Sequence, residues 1–274
     1  MRRLIIQIGF FLLQNPFLRN FFSGRIYQGE LKRFCTPGLN CYSCPAAAFS
    51  CPIGAAQMFF AGARQTISLY VVGFLISVGV VFGKFICGYV CPFGLLQDLI
   101  YRIPTPKIIT PLRFLKYVKY VVLALFVVVL PLTVRRGLTG LGLPWFCAYV
   151  CPSGTVFAAL PLLAANDFLR DQIGVQFFLK ITIAVVLLIL SAFVLRVFCR
   201  VLCPLGAIYG WFNRIAVLRM RCDKEKCTAC GQCKNACHIK IEPIKNDPEC
   251  FRCGNCIKAC GEKALKIRNC PEIT

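Results

Sequence analysis

The sequence is almost without histidine and is poor in charged residues. His238 is the only histidine among 274 residues. A membrane cytochrome with bis-histidine haem is therefore excluded, as are most zinc and non-haem iron sites, because these sites rely on imidazole ligands. Charged residues make up 16% of the chain, against about 25% in an ordinary soluble domain. Apolar residues (58%) and cysteines (20) are abundant instead, which indicates a bilayer protein with many sulfur ligands.

Four apolar segments approach the roughly 20 residues that a helix needs to cross the hydrocarbon core. They run over about 4–22, 67–86, 117–134 and 176–198. The stretch 152–165 is shorter and lies between prolines, which predicts a re-entrant or interfacial helix. Lysine and arginine concentrate at the N-terminus, over 102–119 and from residue 196 onward. The positive-inside rule therefore predicts a multi-pass protein of the cell (inner) membrane with both termini cytoplasmic.

The formal net charge of +21 fits this topology better than it fits a nucleic-acid partner. Residues 1–220 hold 21 lysines and arginines but only four acids, and most of these bases flank apolar spans. No run of six like charges occurs. Thiolate-bound iron–sulfur clusters would cancel much of the excess charge. We expect membrane lipid, and no nucleic acid, among the partners.

An internal repeat divides the apolar part of the chain into two halves. A Cys-x3-Cys-Pro-x-Gly pattern of the first half recurs in the second half, and so does a separate Cys-Pro-x-Gly. The longer pattern begins at Cys87 and Cys199, and the shorter one at Cys51 and Cys151. We predict two membrane repeats of the same orientation over 1–103 and 104–216, related by a pseudo-axis along the membrane normal. The polar remainder, 217–274, is predicted to be a small soluble domain.

The polar tail carries two copies of Cys-x2-Cys-x2-Cys-x3-Cys, the spacing of bacterial two-cluster ferredoxins. In that pattern the fourth cysteine of each copy ligates the other cluster. The first cluster is predicted on Cys227, Cys230, Cys233 and Cys260. The second is predicted on Cys250, Cys253, Cys256 and Cys237. A zinc ribbon or disulfides are the alternatives. Cys222 and Cys270 have no partner by spacing and are predicted to be free thiols.

The paired cysteines of the two repeats predict a third cluster. Each pair supplies half of a cubane's ligands, and both pairs lie at inner helix ends; they are Cys87, Cys91, Cys199 and Cys203. Lys84 and Arg196 precede the pairs by about one helical turn, where they either offset the cluster charge or snorkel to the interface. Asp98 is predicted to be a helix-end acid facing water, with proton relay as the other interpretation. Helix-breaking turns with reduced thiols are the alternative for the pairs.

Six further cysteines lie in the predicted outer loops, and the sequence leaves their arrangement open. They are Cys35, Cys41, Cys44, Cys51, Cys147 and Cys151. The first four alone could hold a cubane. Alternatively, Cys147 and Cys151 meet Cys51 and either Cys41 or Cys44, or all six hold a fused cluster. Disulfides are a further alternative, because an outer compartment is oxidising. We expect at least one outer cluster.

These motifs resemble the NapH/NosR-type membrane polyferredoxins. The resemblance lies in Cys-Gly-Tyr-Val-Cys-Pro-Phe-Gly from Cys87, in Phe-Cys-Arg-Val-Leu-Cys-Pro-Leu-Gly-Ala-Ile-Tyr-Gly from Phe198, and in the two-cluster tail. It covers about 67–103 and 176–268, and carries over to the four paired cysteines and the eight tail cysteines. It implies four spans, cytoplasmic termini, and electron transfer between the quinol pool or cytoplasmic donors and an outer reductase. The outer cysteines depart from the family pattern and suggest an added outer redox centre.

We therefore expect an all-α membrane protein plus a small α+β two-cluster ferredoxin domain. The membrane part would have four transmembrane helices in two parallel repeats, with short re-entrant or interfacial helices. A chain of [4Fe-4S] clusters, without haem, would conduct electrons across the membrane to other redox subunits or an outer-face reductase, with quinone as a candidate partner. The chain could then be a quinol dehydrogenase component. Two alternatives stay open: a transmembrane thiol–disulfide relay, and a reductive activation or maturation factor for an outer-face metalloenzyme.

Overall fold

A computed structural model describes residues 2–62, 68–109, 114–134 and 142–268. Cys270, predicted as a free thiol, lies outside these residues. Helices of the first half cover Arg2–Gln14 (α1), Asn20–Ser23 (α2), Pro52–Phe60 (α3), Ser68–Phe82 (α4), Phe85–Tyr89 (α5) and Pro92–Ile100 (α6), with a 3-10 turn at Glu30–Arg33. Those of the second half cover Val118–Val122 (α7), Leu130–Thr133 (α8), Pro152–Gly154 (α9), Leu160–Ala165 (α10), Asp167–Arg170 (α11), Val175–Phe193 (α12), Val197–Val201 (α13) and Pro204–Phe212 (α14).

Helical segments of other types extend the second-half helices. A 3-10 turn at Leu115–Tyr117 and a π-helix at Leu123–Val129 make Leu115–Thr133 one continuous helix. A π-helix at Thr155–Ala159 similarly joins α9 to α10, and another covers Phe146–Val150. The predicted helix over 152–165 is therefore present, as Pro152–Ala165.

Two of the four predicted spans are long and apolar enough to cross a membrane. They are Leu115–Thr133 and Val175–Phe193, with 19 residues each. The other two are shorter within the described residues. Helix α1 has 13 residues and ends just before Asn15-Pro16, where proline restrains the preceding residue from helical geometry. Helix α4 has 15 residues and is followed by Gly83 with a φ of +51°. Crossing by these two helices stays a prediction.

Four helices begin at a proline that directly follows a cysteine. They start at Pro52, Pro92, Pro152 and Pro204. Proline suits the first helical position because its fixed φ is already helical and its missing N–H is not needed there. It also keeps the preceding cysteine extended, as with Cys91 at φ −71° and ψ 120°. Each Cys-Pro therefore puts a thiol at the start of a helix.

The internal repeat is visible in the helices. Helices α5 and α13 have five residues each, and α6 and α14 have nine each. A single apolar core joins the two halves and includes cysteines of both predicted faces, among them Cys51, Cys91, Cys151 and Cys203. The repeat boundaries remain predictions, but both halves contribute to one core.

The tail is a small α+β unit. Strand β1 (Arg219–Cys222) pairs antiparallel with β2 (Leu265–Arg268), so that Cys222 lies opposite Leu265. One-turn helices α15 (Gln232–Asn235) and α16 (Asn255–Lys258) and a 3-10 turn at Pro243–Lys245 lie between the strands.

Candidate functional site

The two cysteine loops of the tail share one backbone conformation. Ala229 and Arg252, each two residues after the first cysteine of its loop, both have a φ of 53°. Gly231 and Gly254 follow two residues later with φ of 74° and 83°. Matching left-handed positions curl each loop in the same way, as the repeated spacing predicts.

The first predicted ligand set of the tail surrounds a cavity. The cavity has a volume of about 520 Å³, and its lining includes Cys227, Cys230, Cys233 and Cys260. Cys222 lines it too. Cys222, predicted to be a free thiol, forms no disulfide, and β1 brings it to the same cavity as the four predicted ligands.

The second predicted ligand set also comes together. The Cys256 thiol lies within electrostatic range of Cys250, Cys253 and Cys237, although Cys237 belongs to the other loop. Burial raises the pKa of the Cys256 thiol to about 12 and that of Cys250 to about 11. These thiols therefore stay protonated at neutral pH in the absence of metal, and binding of a metal centre would displace their protons. The exchanged fourth cysteine is what the ferredoxin spacing requires.

The paired cysteines of the two repeats form a four-thiol group, which we call the inner group. It consists of Cys87, Cys91, Cys199 and Cys203, and every pair among these thiols is within electrostatic range. All four are buried. Glycine is required three residues after each second cysteine: a Cβ on Gly94 would lie 2.9 Å from the Cys87 carbonyl oxygen, and one on Gly206 2.7 Å from that of Cys199.

A buried glutamine contacts the inner group. The side chain of Gln97 accepts a hydrogen bond from the Phe198 N–H (3.2 Å) and donates one to the Cys199 Sγ (3.2 Å). The Leu39 N–H donates to the Cys91 Sγ at 3.4 Å, and the Gly206 N–H to the Cys203 Sγ at 3.3 Å. Such donors favour thiolate and cluster sulfur over a neutral thiol.

Cations near the inner group are buried in ion pairs. Arg196 is fully buried, contacts both carboxylate oxygens of Asp98 at 2.8 and 2.5 Å, and lies within electrostatic range of Cys199 and Cys91. Arg3 binds the same carboxylate at 2.5 Å. The Asp98 side chain is therefore paired with two arginines and only 12% exposed, so the prediction of a water-facing helix-end acid is wrong. Neither does Arg196 snorkel, because its charge is satisfied inside the protein.

A second carboxylate, which is buried and belongs to the tail, joins the two halves of the apolar part of the chain. Glu249 contacts Lys84 Nζ at 3.2 Å and also contacts Lys119 Nζ. Burial alone raises the pKa of Glu249, but the attraction of the two lysines holds this pKa below its ordinary value. Lys84 is thus buried rather than at the interface, within electrostatic range of Cys87.

The loop of the second tail cluster packs directly on the inner group. A Cβ on Gly88, the residue after Cys87, would lie 2.4 Å from the Phe251 carbonyl oxygen. Asn213 Nδ2 donates to the Cys250 carbonyl oxygen at 2.9 Å. Arg252 donates to the Phe82 carbonyl oxygen at 2.6 Å. The backbone between two predicted ligands of the second tail cluster therefore contacts the backbone between two predicted inner ligands.

Four of the six outer cysteines form a second four-thiol group, which we call the outer group. It consists of Cys41, Cys51, Cys147 and Cys151, and every pair among these thiols is within electrostatic range. This geometry matches the mixed arrangement with Cys41 that the sequence left open. Cys44 lies within electrostatic range of Cys41, and the Cys35 N–H donates to Tyr70 Oη at 3.2 Å. A ligand role for Cys35 and Cys44 stays a prediction.

The outer group has its own buried glutamine. Gln57 accepts a hydrogen bond from the Phe146 N–H at 2.9 Å and donates to the Cys147 Sγ at 3.1 Å. Sequence reasoning missed Gln57 and the role of Gln97. A signal was present, because each lies six residues after a Cys-Pro cysteine, Cys51 or Cys91.

The donor chemistry suits a polynuclear centre. The nineteen described cysteines are all free of disulfides. Within the described residues, no three His, Cys, Asp or Glu side chains are close enough to hold one metal ion. A cubane spreads its four thiolates over four iron atoms, so its ligands stand farther apart than those of a single ion. Four mutually close thiols per group, with N–H donors at sulfur, fit this requirement.

A family match indicates iron–sulfur binding, and one relative is described as an electron transport protein. A family described as "4Fe-4S binding domain" matches residues 65–111 and 177–221, which contain the four cysteines of the inner group. No solved structure matches the chain. The chain is 28% identical over 180 residues to "Putative electron transport protein YccM" of Escherichia coli (strain K12), covering 63% of this chain and 46% of that protein.

Two relatives come from Methanocaldococcus jannaschii. "Uncharacterized protein MJ0749" is 28% identical over 202 residues, covering 69% of this chain and 65% of the relative. "Uncharacterized protein MJ0750" is 28% identical over 178 residues, covering 61% and 64%. The chain thus spans less than two thirds of the length of each. Together the comparisons support an iron–sulfur electron-transfer protein with 4Fe-4S binding; the NapH/NosR type stays a prediction.

Proposed function

We propose that the chain conducts electrons across the cell membrane between a cytoplasmic donor or the quinone pool and an outer-face redox partner. The carriers would be [4Fe-4S] clusters held by the tail, by the inner group and at the outer face. Each cluster takes up or releases one electron, so a series of them divides the crossing into short steps. The hydrocarbon core is about 30 Å thick, too far for one tunnelling step.

One observation carries this proposal: the Gly88 backbone meets the Phe251 carbonyl. A Cβ on Gly88 would lie 2.4 Å from that oxygen, so the loop holding Cys250 and Cys253 lies against the motif holding Cys87 and Cys91. A tail that merely tethered a ferredoxin to the membrane would need no such approach. The buried ion pair of Glu249 with Lys84, at 3.2 Å, holds the same interface.

The distribution of positive charge supports the proposed orientation of the chain in the membrane. Residues 221–274 of the tail carry 11 lysines and arginines, and the helix Val175–Phe193 precedes the second inner pair. By the positive-inside rule we assign the tail and the inner group to the cytoplasmic side and the outer group to the opposite side. Hydrogen-bond donors at cysteine sulfurs favour iron–sulfur ligation over the thiol–disulfide relay, because a disulfide sulfur is a weak acceptor.

The test uses purified full-length protein in sealed vesicles that contain cytochrome c, with dithionite added outside as reductant. We expect reduction of the trapped cytochrome by the wild type. A Cys199→Ser, Cys203→Ser variant should lose this activity, whereas Cys35→Ser, which lies outside both four-thiol groups, should keep it. Activity that survives loss of the inner group would refute conduction through that group. Reduction of tail clusters alone, without transfer inward, would leave only a tethered ferredoxin.

A second measurement, of how the activity of the partner depends on this chain, distinguishes electron conduction from an activation or maturation role. A respiratory conduit should reduce its partner in every turnover, so its rate should scale with the amount of this chain. A maturation factor should be needed once, and the partner should stay active after the chain is removed.

A further inference from the structure

We infer that the outer group binds a [4Fe-4S] cluster through Cys41, Cys51, Cys147 and Cys151. The inference deepens the proposed function and rests on it, since it names the ligands of the outer carrier. It also selects four of six candidate cysteines, which sequence spacing alone leaves open. The family match over 65–111 and 177–221 does not include these four.

The outer group repeats the construction of the inner group. Its second-half ligands, Cys147 and Cys151, form a Cys-x3-Cys-Pro-x-Gly turn like that of the inner pairs. Gln57 accepts a hydrogen bond from the Phe146 N–H and donates one to the Cys147 Sγ. Gln97 makes the same two hydrogen bonds with the Phe198 N–H and the Cys199 Sγ. Both glutamine side chains are fully buried. Two sites that each combine a Cys-x3-Cys-Pro-x-Gly turn, four mutually close thiols and the same glutamine contact are suited to the same cofactor.

Donors and cations around the sulfurs favour thiolate rather than disulfide. The Cys51 thiol faces the backbone N–H groups of Ile53 and Gly54, and the Cys151 thiol faces those of Ser153 and Gly154. Lys32 and Lys180 lie within electrostatic range of Cys41. Four buried thiolates around iron carry net negative charge, which these N–H groups and cations offset.

Two glycines leave room beside the sulfurs. A Cβ on Gly54 would lie 3.9 Å from the Cys147 Sγ, and one on Gly154 would lie 3.6 Å from the Cys41 Sγ and from the Lys180 Nζ. Any larger side chain would fill space next to the ligands. Because the described thiols are not close enough for a single ion, a polynuclear iron–sulfur core fits better than zinc.

A short stretch of backbone connects the two groups. The Leu39 N–H donates to the Cys91 Sγ at 3.4 Å, and Cys41 follows Leu39 by two residues. Gly38 is needed for this approach, because a Cβ there would lie 2.9 Å from the Cys91 Cα. The ring of Tyr209, fully buried, lies within electrostatic range of both Cys91 and Cys51. The path for electron transfer from the inner group to the outer group therefore runs through hydrogen-bonded and closely packed protein.

The test compares purified full-length variants for iron, acid-labile sulfide and zinc, with electron paramagnetic resonance of the reduced protein. The wild type should contain about 16 iron atoms per chain, for four cubanes. Cys147→Ser, Cys151→Ser should lose about four iron atoms and one reduced-cluster signal. Cys44→Ser is the matched control, since it removes a buried outer thiol that is not in the proposed ligand set, and it should keep all the iron. Intact tail and inner-group signals in the double variant report that the protein has folded, because the inner and outer cysteines share one core.

Three results would overturn the inference: unchanged iron in the double variant, zinc in place of iron, or disulfides among these four cysteines by mass spectrometry. The vesicle assay separates this failure from failure of the proposed function. If the wild-type protein lacks the outer cluster but still reduces trapped cytochrome c, the outer-cluster inference is refuted and the proposed electron conduction stands. If it contains all four clusters but does not reduce cytochrome c, the outer-cluster inference stands and the proposed conduction is refuted.

Discussion

Replacing Gln97 by leucine tests how the chain sets the potential of the inner group. Leucine fills similar space but removes the N–H that Gln97 donates to the Cys199 Sγ at 3.2 Å. Hydrogen bonds to charged acceptors contribute about 1.5–3 kcal/mol, and only the part that differs between the two oxidation states counts. If this part is about 1 kcal/mol, the potential falls by about 40 mV, because the reduced, more negative cluster loses a donor.

The assay is a redox titration of the purified protein followed by electron paramagnetic resonance. Gln97→Leu should shift one signal to lower potential and leave the tail signals unchanged. Gln57→Leu is the matched variant, and it should shift a different signal. Loss of stability is expected in both, because the N–H of Phe198 or Phe146 loses its acceptor, but instability alone does not move a midpoint potential. Unchanged potentials, or equal shifts in every signal, would refute the reasoning.

Three further variants test the tail and its docking. Gly88→Val should displace the Phe251 carbonyl and slow electron transfer from tail to inner group in rapid-freeze experiments, with iron content unchanged. Glu249→Gln should weaken docking of the tail by about 3–5 kcal/mol, because two buried lysines lose their partner, and limited proteolysis should release the tail faster. Cys260→Ser should lose about four iron atoms, whereas Cys222→Ser, which lines the same cavity, should lose none.

The docking contact of Glu249 also predicts a pH dependence. Lys84 and Lys119 hold the pKa of Glu249 below its ordinary value in the folded protein. The ion pairs therefore contribute full stability above the unfolded pKa of about 4.3, and this stability is lost as the pH falls through the lower folded value. Release of the tail should rise in that acid range for the wild type and show less pH dependence in Glu249→Gln. A variant with an unaltered acid profile would contradict this account.

A control for the Gly88 variant lies on α4. A Cβ on Gly73 would meet nothing within 4 Å, so Gly73→Val should leave electron transfer unchanged. If Gly73→Val and Gly88→Val slowed electron transfer equally, the effect would come from general destabilisation of the helices by valine and not from the contact with the tail.

Local spacing predicts the ligand sets of the tail and of the inner group, and the structure brings the thiols of each set close together. In the tail, all of the ligands lie within one short polypeptide, and left-handed residues such as Gly231 and Gly254 fix the curl of each loop. In the inner group, the repeat itself indicated that Cys87 and Cys199 should meet. The first prediction needed only the local spacing of cysteines, and the second needed only the internal repeat.

The outer ligand set could not be chosen from spacing, because the first half departs from the repeat there. The residue four before Cys51 is Ala47, where the second half has Cys147 four before Cys151. Cys41 takes that place in space, because the outer loop is folded back: the Thr36 N–H donates to the Ser50 carbonyl oxygen at 2.9 Å. A long-range turn of this kind leaves no periodic signal in sequence.

The sequence pointed to Lys84 and Arg196 as cations near the inner group but not to their carboxylate partners, and together these charges form a consistent electrostatic arrangement. Asp98 binds Arg3 and Arg196, and Glu249 binds Lys84 and Lys119. Two carboxylates among four cations leave an excess of two positive charges in a buried region. A [4Fe-4S] centre with four thiolates carries about two negative charges, so the cations that would be costly beside neutral thiols become favourable beside a cluster. Glu249 belongs to the tail and its lysines to the apolar part, so docking of the tail completes this charge arrangement beside the inner group.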